Sequence, residues 1–165
     1  MSYSTINVVN TKSVRAVHEV QNSWGSAPAI WNYLSTCFLG LSHMPLGFGA
    51  EGEAALHRLW ALVTDKQVPW HLRLCHAWTF DYVVCPPERL VELAQACESA
   101  GAEIKRLYPN RVNHWPAFSY HLAKLPRLSR RVVGVGLTCT SVSDIWLEWH
   151  GDPRPHSIFE ICGRS

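Results

Sequence analysis

The chain has 165 residues, 47% of them apolar and 17% charged, with a formal charge of +2. That length fits one domain over residues 1–165, and so apolar a composition excludes a disordered chain. The small net charge excludes a protein that is basic throughout, so any basic surface must arise from segregation within the molecule.

No apolar run is long enough to span a bilayer, and no basic segment followed by an apolar one opens the sequence, so a cytoplasmic protein without a membrane partner is expected. The six Cys, at 37, 75, 85, 97, 139 and 162, are scattered through apolar segments. They read as reduced, mostly buried thiols rather than a disulfide framework. Eight Trp point to a tryptophan-rich core, with surface indoles as binding anchors.

In chain order, residues 5–9 and 13–20 read as short strands, the second by weak alternation. Ser26 is placed to cap a helix whose first turn holds Pro28. Ile30, Trp31, Leu34 and Phe38 form its apolar face, and Gly40 ends it. An apolar loop over 41–50 carries Met44, Leu46 and Phe48. A helix over 51–63 follows, with acids in its first turn and an apolar stripe of Leu56, Leu59, Trp60 and Val63. Residues 69–84 fit both a strand and a helix, and helix is the preferred reading. Pro86-Pro87 opens a helix over 88–100, with Leu90, Leu93, Ala94 and Cys97 inward and Gly101 as its stop. Asn113 caps a helix over 114–124. Residues 131–140 and 145–149 read as a β-hairpin about the turn 141–144. A turn at 151–153 then leads to a last apolar run, 157–162, in a β-rich tail. The expected fold class is α+β, with central helices packed on a small, mainly antiparallel sheet built from the C-terminal and possibly the N-terminal strands.

Motifs for catalysis, cofactors or metals are sparse. Asn22-Ser23-Trp24-Gly25 matches a tetrapeptide of papain-like cysteine proteases but precedes every Cys, the reverse of that family's order, and reads as chance. Gly134-Val135-Gly136 lacks the third glycine and the helix that a dinucleotide loop needs, and reads as close strand packing. His71 with Cys75, and His114 with His121, are each half of a metal site, so no metal and no cofactor are expected.

Charge segregation is the strongest pattern. From Ile104 to Ser143 there is no Asp or Glu, while Lys105, Arg106, Arg111, Lys124, Arg127, Arg130 and Arg131 are interleaved with Tyr108, Trp115, Phe118 and Tyr120. Residues 51–103 hold eight acids against four bases. The expected function is a non-enzymatic interaction protein of the inhibitor, immunity or anti-defence type. It would bind an acidic protein or nucleic acid through those seven bases and Trp115, with Met44 and Phe48 as a second contact. The competing reading is a small hydrolase or transferase. It would use His114 and an aromatic-enclosed, buried Asp81 with Ser141, Ser143 and Asp144 of the turn.

Overall fold

A computed structural model describes residues 2–139 and 155–163. The fold is α+β, with a three-stranded antiparallel sheet in the order β2-β1-β4 and six helices among the described residues. Strands β1 (Tyr3–Asn10) and β2 (Val14–Gln21) form the N-terminal hairpin. Helices α1 (Ala27–Leu39), α2 (Gly49–Ala61) and α3 (Trp70–Trp78) follow, then the two-residue strand β3 (Val83–Val84). Helices α4 (Leu90–Leu107) and α5 (Trp115–Ala123) precede β4 (Val132–Cys139), and the described chain ends with β5 (His156–Ser157) and α6 (Ile158–Ile161).

The N-terminal strands are integral to the sheet, since β1 is its central strand, paired with β2 on one side and β4 on the other. Ile6, Val8 and Val9 are all buried, as suits a strand covered on both faces. Beyond β4, Cys85 and Val135 exchange two backbone hydrogen bonds of 2.9 Å, and β3 pairs in parallel with β5. Gly134 permits this junction. A Cβ there would stand 2.7 Å from both the Cys85 carbonyl oxygen and the Val84 side chain, so the glycine serves close backbone packing.

The core gathers around three fully buried aromatic rings, Trp78, Trp115 and Phe118. Their centroids lie 5.5–6.3 Å apart in edge-to-face arrangements, the geometry that aromatic quadrupoles favour. The Trp78 indole donates to the Val135 carbonyl at 2.9 Å, and the Trp115 indole to the Ser26 carbonyl at 3.0 Å.

Several local expectations are corrected. Residues 69–84 divide into α3 and β3, with Tyr82 in the left-handed region between them at φ 56°. Leu72 to Trp78 are consecutive buried residues, so this helix has no exposed face to reveal its period. The Ser26 side chain makes no cap bond to α1. The last apolar run is helical, because the Ser157 hydroxyl accepts from the Phe159 N–H at 3.2 Å and starts α6. The expected strand at 145–149 and the turn 141–144 lie outside the described residues. All six Cys are free thiols, five buried and Cys37 exposed.

Gly101 does not end its helix, which continues to Leu107. It is instead the contact between α4 and α5, where an added Cβ would stand 2.7 Å from Pro116 Cδ and 3.0 Å from Pro116 N. Alanine gains about 1 kcal/mol of helix propensity over glycine, but overpacking against a rigid ring costs about 1–3 kcal/mol. Gly101→Ala is therefore expected to lower the midpoint of urea denaturation, and a raised midpoint would show that the two helices do not meet closely at this residue.

Candidate functional site

The seven bases of the acid-free segment are all exposed, and none forms an ion pair with a carboxylate among the described residues. They fall in two groups. Lys105 and Arg106 lie in the last turn of α4, and Arg111 follows in the connection to α5. The Arg111 guanidinium sits 4.4 Å over the Tyr108 ring and lines a cavity of about 270 Å³ with Trp24, Asn32 and Val112. Lys124 caps the far end of α5, with its ammonium 4.4 Å over the Tyr120 ring, and Arg127, Arg130 and Arg131 follow in the loop to β4. Arg127 lines a groove of about 620 Å³ that also holds Glu88 and Glu98, so its surroundings are mixed in charge.

The second group joins residues that are remote in sequence. Between β2 and α5 lies a cleft of about 330 Å³ lined by Arg15, His18, His121 and Lys124, over a floor that includes Ile6, Val8 and Leu128. Among the described residues no carboxylate lines it. The His18 and His121 rings stack with centroids 3.3 Å apart. Burial pushes His18 below the ordinary imidazole pKa, and the nearby His121 and His114 push it the same way. The Nε2 of His18 is buried without a hydrogen-bond partner among the described residues.

A bulge builds this side of the cleft. Ala16 pairs with Asn7 and His18 with Ile6, so Val17 is an extra residue in β2. Strict alternation would send Arg15 and His18 to opposite faces, and the bulge allows both to line the cleft. Sequence periodicity alone therefore missed Arg15 and His18. The HxxxxxxH spacing of His114 and His121 did mark an imidazole face on α5, but not its partner strand.

Trp115 cannot be a surface anchor. Its exposure is 0%, and it packs edge-on against Trp78 and Phe118 in the core. Among the described residues Trp24 is the most exposed tryptophan, 55% exposed beside Arg111. In the apolar loop Phe48 is 84% exposed, whereas Met44 is half-buried and its N–H donates to Asn32 Oδ1 at 2.8 Å. Phe48, but not Met44, borders a separate groove of about 650 Å³.

Of the catalytic candidates, the two that are described, His114 and Asp81, are not brought together. His114 Nε2 donates to the Asn22 carbonyl at 2.8 Å, and its ring leaves no room for a side chain at residue 25, where a Cβ would stand 2.6 Å away. This imidazole docks the 3₁₀ turn Ser23–Gly25, which is a structural role. Asp81 is exposed rather than enclosed, and it borders a different hollow with Trp31, Trp60, Thr79 and Phe80. No hydrogen bond joins it to His114 among the described residues. Ser141, Ser143 and Asp144 lie outside the described residues.

His71 donates to Glu103 at 2.9 Å, and burial raises the Cys97 thiol well above its ordinary pKa beside Cys75. Among the described residues no group of three or more His, Cys, Asp or Glu is placed to hold a metal ion. No described helix is long and apolar enough to cross a membrane. Comparison with protein families, with curated proteins and with solved structures found no match to this chain.

One imidazole acts on stability. His76 is fully buried and donates from Nε2 to the Leu59 carbonyl at 2.8 Å, and burial lowers its pKa from 6.5 to about 4. The unfolded chain takes up this proton below pH 6.5 and the folded chain does not. The resulting stability is complete above pH 6.5 and is lost as pH falls toward 4. The shift predicts a loss of about 2 kcal/mol between pH 7 and pH 5 in urea denaturation, with His18 adding in the same direction. His76→Phe keeps an aromatic ring in place but leaves the Leu59 carbonyl without its donor. It is expected to be less stable at pH 7 and to show a flatter decline, and an unchanged decline would assign the pH dependence to other groups.

Proposed function

We propose that the protein is a non-enzymatic binder of an acidic macromolecular partner and that the cleft between β2 and α5 is the centre of its contact. One observation carries this reading. Arg15, Lys124 and the stacked His18–His121 pair line a single cavity that no carboxylate of the described residues lines. Cations held together without counter-charges raise one another's electrostatic cost, and an anion entering the cleft relieves it. Arg127, Arg130 and Arg131 extend the positive field along the loop that leaves α5. Arg111 and the exposed Trp24 form an outlying contact of basic and aromatic character.

Such a site answers to phosphate or carboxylate charge and not to one sequence of bases or residues. The affinity should fall steeply with salt, because neutralising phosphates releases condensed counterions. It should rise as pH drops, because a bound anion favours the protonated form of His18, which burial disfavours in the free protein.

The test is a fluorescence titration with a labelled DNA duplex and, in parallel, a labelled polyglutamate peptide, across about 50–200 mM salt. Saturable, salt-sensitive binding of either probe is expected. Preference for the duplex assigns a nucleic acid partner, and preference for the peptide an acidic protein. The double variant Arg15→Ala/Lys124→Ala should weaken binding and reduce the salt slope by about two. Failure to bind either probe, or binding unaltered in this variant, would reject the cleft as the contact.

A further inference from the structure

A second site of opposite character lies where α1, α2 and the end of α3 meet. Trp31, Trp60, Thr79, Phe80 and Asp81 line a hollow of about 400 Å³. The Trp31 and Trp60 rings are 5.0 Å apart and nearly perpendicular at 78°. Trp60 and Phe80 are 5.4 Å apart at 82°. Three rings in successive perpendicular contact present both faces and edges around one space. Asp81 supplies a carboxylate at the border, and among the described residues no Lys, Arg or His lines the hollow.

The walls are fixed before any ligand arrives. The Trp31 indole donates to Thr79 Oγ1 at 2.9 Å, and that hydroxyl donates to the His76 carbonyl at 2.6 Å. Behind them the His76 ring stacks on Trp60 at 5.7 Å and meets Phe80 edge-on at 4.9 Å. Its buried, neutral imidazole places no competing positive charge behind the rings at neutral pH. Ring faces carry negative potential, and a nearby carboxylate adds a full charge. A methylated ammonium satisfies both features, because its charge is spread over a weakly hydrated apolar surface that loses little on leaving water. A primary ammonium would keep its water or turn its N–H groups to Asp81 at the border, and only a methylated head group is suited to the three rings as well.

We propose that this hollow binds a small quaternary ammonium compound, with its head group among Trp31, Trp60 and Phe80 and its charge facing Asp81. The head group takes only part of the volume and leaves room for a short polar tail. The site is separate from the cationic cleft, and neither depends on the other.

Calorimetry with choline, and with its neutral isostere in which a carbon replaces the nitrogen, tests the assignment on the unmodified protein. Choline is expected to bind saturably and the isostere about tenfold more weakly, since only the charge differs. Equal affinity for the two, or no saturable choline binding, would overturn the proposal. Asp81→Asn alters an exposed side chain and should weaken choline several-fold while leaving the isostere unchanged; a variant that binds choline as the parent does would remove Asp81 from the site. Choline should also shift the Trp60 indole N–H resonance, identified through its loss in Trp60→Phe, and a shift confined to other indoles would place the ligand elsewhere.

Discussion

The arrangement depends on two buried indoles whose N–H groups must be satisfied. Trp78 on α3 and Trp115 in the first turn of α5 are sealed from water, and each N–H has one described acceptor, the carbonyl of Val135 on β4 or of Ser26 before α1. A buried N–H left unpaired costs about 1–3 kcal/mol, so rings and acceptors must be placed together. Four elements are thereby set relative to one another. With Ser26 committed to Trp115, the chain enters α1 through the turn that docks on His114, and the His114 N–H donates to the Gly25 carbonyl at 2.8 Å. The same registration of α5 brings His121 onto His18 and closes the cationic cleft.

Local signals made much of this fold legible, and non-local contacts account for what they missed. Pro28 and Gly40 bounded α1 as capping chemistry predicts, and Gly40 adopts φ 66° at the C-cap. Asn113 does serve the start of α5, accepting from the Trp115 N–H at 3.2 Å while donating to the Gly101 carbonyl at 2.9 Å. That second bond explains the misreading of Gly101. A glycine in a helical pattern reads as a stop, but here it is the residue that lets α5 approach α4. Ser26 failed as a cap for a similar reason: its backbone carbonyl, not its hydroxyl, meets the long-range requirement.

The candidate site was legible only on one side. The absence of acids from Ile104 to Ser143 marked Lys124 and its neighbours, because composition along a segment survives folding. Arg15 and His18 could not be found in that way. They stand in a strand whose alternation is broken at Val17, and their approach to α5 joins residues about a hundred positions apart. Residues 51–103 hold eight acids against four bases. Their carboxylates are in part engaged locally, with Glu92 bonded to Arg89 and Trp70, and Glu103 to His71, so they do not neutralise the cleft.

Tryptophan content by itself said nothing of which indoles build the core and which meet other molecules. The fate of the indole N–H sorts them in part, since Trp31 both donates to Thr79 and lines the hollow beside Asp81. Trp78 and Trp115 donate to backbone carbonyls and are fully buried, while Trp31 and Trp70 donate to Thr79 and Glu92 at the margins of the core. Trp146 and Trp149 lie outside the described residues. Trp24 and Trp60 make no indole hydrogen bond among the described residues, and each lines a surface hollow, one beside Arg111 and the other beside Asp81. An indole with a protein acceptor is held by the fold, and Trp31 shows that such a ring can still serve as a fixed wall. One without an acceptor keeps its N–H for water or for a ligand. The two cavities bordered by these indoles differ in the charge beside them, guanidinium in one and carboxylate in the other. That difference, and not the aromatic content they share, sets the sign of what each can attract.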